Sequence, residues 1–429
     1  MDYFDQAETL SPEALAALQT ARAKATLQTV QNTAFYKKRC DDAGLSADNL
    51  KSVLDLQKLP FTTKDELRAH YPDGLLCLPR ENFVRMHCSS GTTGTPTAIF
   101  YTQKDLETWA HLMARSLYAA GVRAGDVFQN MSGYGLFTGG LGIHYGAEHL
   151  GCLTIPAGAG NTRRQIKLLK DFKVNAIHIL PSYALHVANE LKDDLKDLHL
   201  KIALVGAEPY TEEMRQRIES ALNVKVYNSF GLTEMNGPGV GVECAAQKGL
   251  HIWEDAYFLE VIDPKTGKNV ADGEIGEMVL TTLTREGMPL IRYRTRDLTR
   301  ILPETHCACG RNHRRIDRIL GRTDDMFILK GVNIYPMQIE EVLMTFPELG
   351  SNYVIQLETK EMREKMRIKV EMNNAYFTDD LRALYHLKRK IAHRIKDEIL
   401  VQPEIILVEP ASLPPADGKA VRVLDLRGV

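Results

Sequence analysis

Hydrophobic and polar positions follow two periods along this chain. From Ser11 to Arg39 apolar residues recur at helical spacing, and Lys64 to His70 carries a second, shorter helical pattern. The middle of the chain alternates. Short apolar runs at residues 153–155, 176–180, 202–205 and 224–227 are separated by amphipathic segments at 165–172, 183–191 and 212–222. Thr162-x-x-Gln165 reads as a capping-box start for the first of these segments. Such alternation predicts a mostly parallel sheet covered by helices.

Beyond about residue 261 the pattern turns strand- and turn-rich, with apolar runs at 260–262, 276–282 and 298–301. From about Asp324 the order becomes strand, helix, strand, strand, helix, strand, at 326–329, 337–345, 353–357, 366–371, 379–400 and 405–408. The expected fold class is therefore α/β. A large domain, 1–322, carries mostly parallel helix-covered sheets and a β-rich subdomain, and a small α+β lid domain occupies 323–429. Internal repeats and low-complexity segments are not seen.

Composition narrows the function classes. The 429 residues carry 53 Lys and Arg against 55 Asp and Glu, a formal net charge of −2. That balance gives no electrostatic case for nucleic acid or an anionic membrane as partner. The acidic start, Met1 to Gln6, does not have the form of a signal peptide, and no apolar run reaches spanning length. Seven cysteines form an odd count, with Cys40, Cys77, Cys88 and Cys152 scattered singly. The expectation is a reducing, cytoplasmic setting.

Candidate chemistry begins at Ser89-Ser90-Gly91-Thr92-Thr93-Gly94-Thr95-Pro96-Thr97, after the strand-like 83–88. Small residues let backbone N–H groups approach an anion, and the hydroxyls add donors. The Walker form is absent, since no Gly-Lys-Ser/Thr follows. Tyr227 to Glu234 follows the apolar run at 224–226, and Gly206-Ala207-Glu208-Pro209 ends the preceding one. Two neighbouring strand ends of this kind make a ligand crevice in an open α/β sheet. A carboxylate such as Glu234 there suits Mg²⁺, which takes oxygen ligands and shares them with substrate phosphates. Asp297, in Arg292 to Asp297, could accept both hydroxyls of a ribose or belong to a surface ion-pair network. Arg322 and Asp324 lie where the small domain begins, as linker or hinge, and Lys419 sits in a late Pro- and Gly-bearing loop.

In their order and spacing these pieces, with Gly133 to Gly140, resemble the phenylacetate–CoA ligase family of the adenylate-forming superfamily, from about Leu56 to Arg427. The resemblance implies a reaction in which a carboxylate attacks the α-phosphate of ATP and the thiol of CoA then displaces AMP. It implies that Ser89 to Thr95 hold the phosphates. Gly206, Ala207, Glu208, Asn228, Ser229, Phe230 and Gly231 flank the nucleotide, and Asp297 and Arg322 grip the ribose. Thr233 and Glu234 fix the α-phosphate and Mg²⁺. Lys419 bridges carboxylate and phosphate oxygens in the transition state, by electrostatic stabilisation. Rotation about Asp324 exchanges the Lys419 face for a thiol-admitting one. Many relatives place a Lys inside the phosphate loop, and this sequence has none there, so part of the triphosphate charge must be met elsewhere.

The implied acyl pocket uses Tyr134, Phe137, Gly139 and Gly140 with Met235, Asn236, Gly237 and Pro238. Glycines leave room and rings give an apolar wall, which suits an aryl or arylacetic acid. As ordinary core aromatics, Tyr134 and Phe137 would serve no pocket. Two other functions stay open: adenylation with an amine, cofactor hydroxyl or carrier-protein thiol as acceptor, and a catalytically silent nucleotide sensor. The family tendency and the helical N-terminal arm point to a homodimer.

A separate set of residues has metal-ligand character. Cys307-Ala308-Cys309-Gly310 is a tight thiolate pair with a glycine that permits a knuckle turn, and Cys244 and His251 lie upstream. One Cys₃His set completes a tetrahedral, structural Zn²⁺ shell. His306 or His313 as fourth ligand, or free buried thiols, are the alternatives. The family resemblance favours Cys244, His251, Cys307 and Cys309.

Overall fold

The computed structural model describes residues 3–427 apart from 90–95, 192–194, 197, 305, 331, 361–362, 379 and 414–421. The chain forms two compact units. The first comprises residues 1–179, 197–207 and 225–318, and the second 180–196, 208–224 and 319–429.

An eight-stranded sheet is the frame of the first unit. Its strands lie in the order Arg315–Ile316, Leu250–Ile252, Gly237–Glu243, Lys225–Leu232, Ile202–Gly206, Ala176–Ile179, Val127–Asn130 and Leu153–Ile155. The last five are parallel, and the first three are added antiparallel at the Lys225–Leu232 edge. The fold is mixed α/β, as the alternation predicts. The parallel strands read as continuous apolar runs because they are covered on both faces: Ala176, Ile177, Ile179, Ala203, Leu204 and Val205 are all buried.

Helices Gln103–Ala119 and Thr138–Leu150 pack closely on one another and on Gly237–Glu243. Two glycines on the second helix permit this. A Cβ at Gly142 would stand 2.1 Å from Trp109 Cζ2, and one at Gly146 2.4 Å from Met113 Cγ. Strands Tyr257–Ile262, Gly276–Thr282 and Tyr293–Thr299 form an antiparallel sheet. Against it the N-terminal helical arm buries Leu27, Val30 and Tyr36 beside Phe258, Leu283 and Ile291. Among the described residues, no helix is long and apolar enough to cross a membrane.

The second unit contains helices Pro181–Leu191 and Glu212–Leu222, helix Pro336–Met344, helix Leu381–Ile399 and a four-stranded sheet. That sheet runs Glu404–Val408, Arg363–Met372, Leu349–Lys360, Val423–Asp425. Arg217 donates to the carbonyls of Met344, Phe346 and Leu349 at 2.6, 2.9 and 3.1 Å. A cation there suits the electronegative end of helix Pro336–Met344.

Several expectations need correction. The single arm over Ser11 to Arg39 is two helices, Pro12–Val30 and Ala34–Asp42: the first ends at Val30, and Thr33 opens the second as its N-cap, accepting from the Tyr36 N–H. Asn161, at φ 49°, caps the helix that begins at Thr162, accepting from the Arg164 N–H. Thr162-x-x-Gln165 is therefore not its capping box. Gln165 is buried and donates to the Gly158 carbonyl. The apolar run at 224–227 continues as strand to Leu232, so Asn228 to Gly231 are strand residues and not a loop.

Candidate active site and metal cluster

The site grows from two chain segments that meet in the first unit. Strands Phe83–Cys88 and Ala98–Thr102 pair antiparallel, which brings the ends of the hydroxyl-rich loop together. The Ser89 N–H donates to the Thr97 carbonyl at 3.1 Å, and the two hydroxyl oxygens lie 2.5 Å apart. The Thr97 hydroxyl donates to Glu234 Oε1 at 3.2 Å, so the Ser89 hydroxyl is the donor to Thr97. Ser90, Gly91, Thr92, Thr93, Gly94 and Thr95 lie outside the described residues, as does Lys419.

Glu234 is buried in a short 3₁₀ turn, Thr233–Met235, that ends the Lys225–Leu232 strand. Polar tips of buried aromatic residues fix this turn and the residues just after it through their carbonyls. Tyr101 Oη donates to Thr233 and Asn236 at 3.3 and 3.2 Å, Tyr257 Oη to Met235 at 3.0 Å, and Trp109 Nε1 to Pro238 at 2.8 Å. The rings of Tyr101 and Trp109 stack with centroids 5.4 Å apart. Arg285 donates to the Glu234 carbonyl at 3.3 Å and to Phe100 at 2.7 Å. Burial pushes the Tyr101 and Tyr257 phenols far above their ordinary pKa, so both remain donors at any working pH. Sequence reading passed over all four residues. For the three aromatics the signal is only that large rings with a polar tip need a partner when buried.

Lys64 was also missed. Its Nζ lies 3.9 Å from Glu234 Oε1.

Segments 134–140 and 235–238 do meet. Thr138 Oγ1 is 3.3 Å from Thr233 Oγ1, and Gly237, at φ +119°, faces Thr138 so closely that a Cβ would stand 2.7 Å from its Cβ. Asn130 Nδ2 donates to the Tyr134 hydroxyl at 3.0 Å and to the Gly140 carbonyl at 2.7 Å. Gly139 and Gly140 lie in the first turn of helix Thr138–Leu150. Tyr134 and Phe137 are 36 % and 56 % exposed, which excludes them as core aromatics.

The two neighbouring strand ends are also adjacent in space. Gly206 pairs with Ser229, and a Cβ there would stand 2.4 Å from the Ser229 carbonyl oxygen. Ala207 follows at φ +69°, turning the chain out of the sheet. The Asn228 N–H donates to Glu243 at 2.8 Å, while Ser229 and Phe230 are buried. Asp297 is buried on Tyr293–Thr299, a strand of the other sheet. That strand bonds Thr62, two residues before Lys64. In the second unit, Glu208 accepts from Ser182 at 3.2 Å, and Arg322 Nε donates to Asp324 at 2.9 Å.

The cysteine set converges as well. Cys244, His251, Cys307 and Cys309 place their ligand atoms within 4.8 Å of one another. Cys244 and Cys307 sulfurs are 3.6 Å apart, and His251 Nε2 is 3.3 Å from Cys309 Sγ. His251 Nδ1 donates to the His313 carbonyl at 3.0 Å, which fixes the tautomer that leaves Nε2 for a metal. His313 itself faces Ala7 and the Glu254 N–H, so it is not a ligand. A hydrogen bond from Cys244 holds the Cys309 thiol well below its usual pKa, while the Cys244 thiol is pushed far up. Burial opposes charge on His251, but the neighbouring sulfurs outweigh it and raise its pKa. Three sulfurs and one imidazole at this separation fit a four-coordinate thiophilic cation.

An open mixed sheet thus carries, at the ends of its parallel strands, a buried carboxylate bonded to the base of a hydroxyl-rich loop. Residues 7–283 match the AMP-binding enzyme family and residues 331–427 the AMP-binding enzyme C-terminal domain. The chain is 44 % identical over 445 residues to the phenylacetate-coenzyme A ligase of Thermus thermophilus, covering 100 % of both. It is 43 % identical over 431 residues to that of Escherichia coli, covering 99 % of this chain and 98 % of the other. It belongs to the phenylacetate–coenzyme A ligase family. Among solved structures, a 2-hydroxyisobutyryl-CoA ligase in the postadenylation state, in complex with 2-HIB-AMP, matches with a TM-score of 0.91 at 28 % identity, covering 98 % of this chain and 91 % of that one.

Proposed function

We propose that the protein is an AMP-forming acid–CoA ligase acting on an aryl or arylacetic acid such as phenylacetate. In the first half-reaction an oxygen of the acid carboxylate bonds to the α-phosphorus of ATP and pyrophosphate leaves. In the second, the CoA thiol loses its proton and bonds to the acyl carbon, and AMP leaves.

The observation that carries this reading is the Ser89–Thr97–Glu234 chain of hydrogen bonds. It joins the loop expected to hold phosphates to the carboxylate expected to hold Mg²⁺. Glu234, with substrate oxygens, would hold the ion, which when bound offsets phosphate charge. Thr233, its carbonyl pinned by Tyr101, would accept from the Thr138 hydroxyl and donate its own to the α-phosphate. Tyr134 and Phe137, both exposed, supply an apolar surface for an aryl ring, on the segment whose Thr138 faces Gly237. Family membership supports Lys419 as the cation that bridges carboxylate and phosphate, with the 323–429 domain turning about Asp324 between half-reactions. The Arg322–Asp324 pair is the local contact such a turn alters.

The Cys₃His set supports a structural Zn²⁺, since all four protein positions are filled and none is left for water. The family tendency supports a homodimer, and seven free cysteines support a reducing cytoplasmic setting.

Carboxylate-dependent ATP–pyrophosphate exchange, run across aryl, arylacetic and short aliphatic acids with and without CoA, tests the function. Exchange highest with arylacetic acids, and AMP release that requires CoA, is the expected result. Equal exchange with acetate or propionate overturns the substrate class, and AMP release driven by another acceptor overturns the ligase assignment.

A further inference from the structure

The segment from Ser89 to Thr97 contains only Ser, Gly, Thr and Pro. Backbone and hydroxyl donors can cradle a triphosphate, but they carry no formal charge to set against it. Another element must supply a cation.

Lys64 is placed to do so. Its Nζ lies 3.9 Å from Glu234 Oε1, at the carboxylate that also accepts from Thr97. Its side chain keeps 21 % of its surface, against 5 % for Glu234, so the ammonium stands at the mouth of the group and is not sealed behind it.

The root of Lys64 is rigid. It opens helix Lys64–Ala69, where Thr63 and Glu66 form a reciprocal capping box. Thr62, two residues before it, is bonded to the sheet. The Thr62 N–H donates to the Arg292 carbonyl at 2.9 Å, the Arg294 N–H donates to the Thr62 carbonyl at 2.9 Å, and Thr62 Oγ1 donates to the Ile291 carbonyl at 2.7 Å. The strand holding this anchor, Tyr293–Thr299, also carries Asp297. A flexible four-carbon stem thus projects from a fixed base toward the clamped end of the loop.

We propose that Lys64 is a phosphate-binding residue. Its ammonium contacts the β- and γ-phosphates of ATP and so supplies the charge that the loop lacks. This rests on the adenylation reading above. As a partly exposed ion pair, the Lys64–Glu234 contact would contribute little to stability. Its position gains a purpose when a triphosphate enters beside that carboxylate. The pyrophosphate half then carries its own cation away from the bond that breaks, distinct from the role proposed for Lys419 at the α-phosphate.

The test uses the full-length Lys64→Met and Lys64→Arg variants with phenylacetate, MgATP, pyrophosphate and CoA. Lys64→Met is expected to raise the KM for ATP, and for pyrophosphate in the exchange reaction, by roughly 10- to 100-fold, the scale of a hydrogen bond to a charged group. Thioester formation from supplied phenylacetyl-adenylate, which involves no triphosphate, should stay within about twofold of wild type. Lys64→Arg should recover most of the loss. An unchanged KM for ATP overturns the proposal, and so does a parallel loss in the thioester step. A changed Mg²⁺ requirement at constant KM for ATP also overturns it, assigning Lys64 to Glu234 only. Should Lys64→Met fail to fold, the comparison moves to Lys64→Gln, read as thermal shift. Stabilisation by ATP should fall while that by AMP persists, and loss of neither overturns the proposal. Wild-type enzyme without carboxylate-dependent exchange removes the adenylation function itself, an outcome separate from any result on the variants.

Discussion

Thr97 Oγ1 lies 3.2 Å from Glu234 Oε1, across 137 residues of sequence. This bond aims the carboxylate and at the same time closes the base of the loop that Ser89 begins. Removing the charge should cost more than removing the aim. Glu234→Gln should lower carboxylate-dependent exchange by at least about 100-fold and raise the Mg²⁺ concentration needed for half-maximal rate. Thr97→Val, which loses one orienting bond to a charged group, should cost about 10-fold at an unchanged Mg²⁺ requirement. Titrating Mg²⁺ in the exchange assay separates the two, and equal losses would refute the division of roles.

Lys419 is asked to act in one half-reaction only. Lys419→Ala should lose at least about 1,000-fold in adenylation, as expected when a cation placed for the transition state is removed. Thioester formation from supplied acyl-adenylate and CoA should remain within a few fold. Single-turnover rates of the two steps, taken separately, decide it. Parallel losses would place Lys419 in binding or folding and not at the reacting oxygens.

Much of the parallel sheet was legible because continuous apolar runs at 153–155, 176–180 and 202–205 can only be strands covered on both faces. The end of the 224–227 run was not. Asn228, Ser229 and Gly231 read as loop residues, yet antiparallel pairing with Gly237–Glu243 carries the strand to Leu232. Glu234 could be named from its place after a strand, since that depends on local order. Its support by Tyr101, Trp109, Tyr257 and Arg285 could not, since each reaches it from a distant segment. The same holds for Lys64, which local pattern marks only as a helix start. Asn161 in place of Thr162 shows a smaller limit, because a left-handed Asn leaves no periodic trace.

Cys244, His251, Cys307 and Cys309 should bind about one zinc per chain, measured by elemental analysis of protein expressed with zinc supplied. Cys309→Ser should lose the metal, and with it roughly 2 kcal/mol or more of stability, because the knuckle carries several other contacts. Tyr3 Oη donates to the Cys309 carbonyl, the Asn312 N–H to the Glu8 carbonyl, and His313 Nε2 to the Ala7 carbonyl. Stripping the metal with a chelator should therefore raise amide hydrogen exchange over residues 3–10 before it affects the parallel sheet. Protein that is metal-free as isolated and equally stable after chelation would refute the site.

His178 gives the fold a built-in acid sensitivity. It lies on the Ala176–Ile179 strand, fully enclosed, with Nδ1 2.5 Å from Ser132 Oγ, and burial lowers its pKa to about 3. An unfolded chain protonates the same imidazole near its ordinary value of about 6.5. Between those limits the unfolded state binds more protons, so stability rises with pH and falls on acidification. The contribution is complete above about pH 6.5 and declines by up to about 1.4 kcal/mol per pH unit below it. His178→Asn removes the titrating group and leaves a polar side chain for Ser132. The variant should be less stable than wild type at pH 7.5, through imperfect packing, but the gap should narrow by pH 5. Urea midpoints at the two pH values give the comparison. A gap that stays constant would mean that His178 titrates alike in the folded and unfolded chain, and a gap that widens toward pH 5 would mean that the Ser132 contact holds an imidazolium.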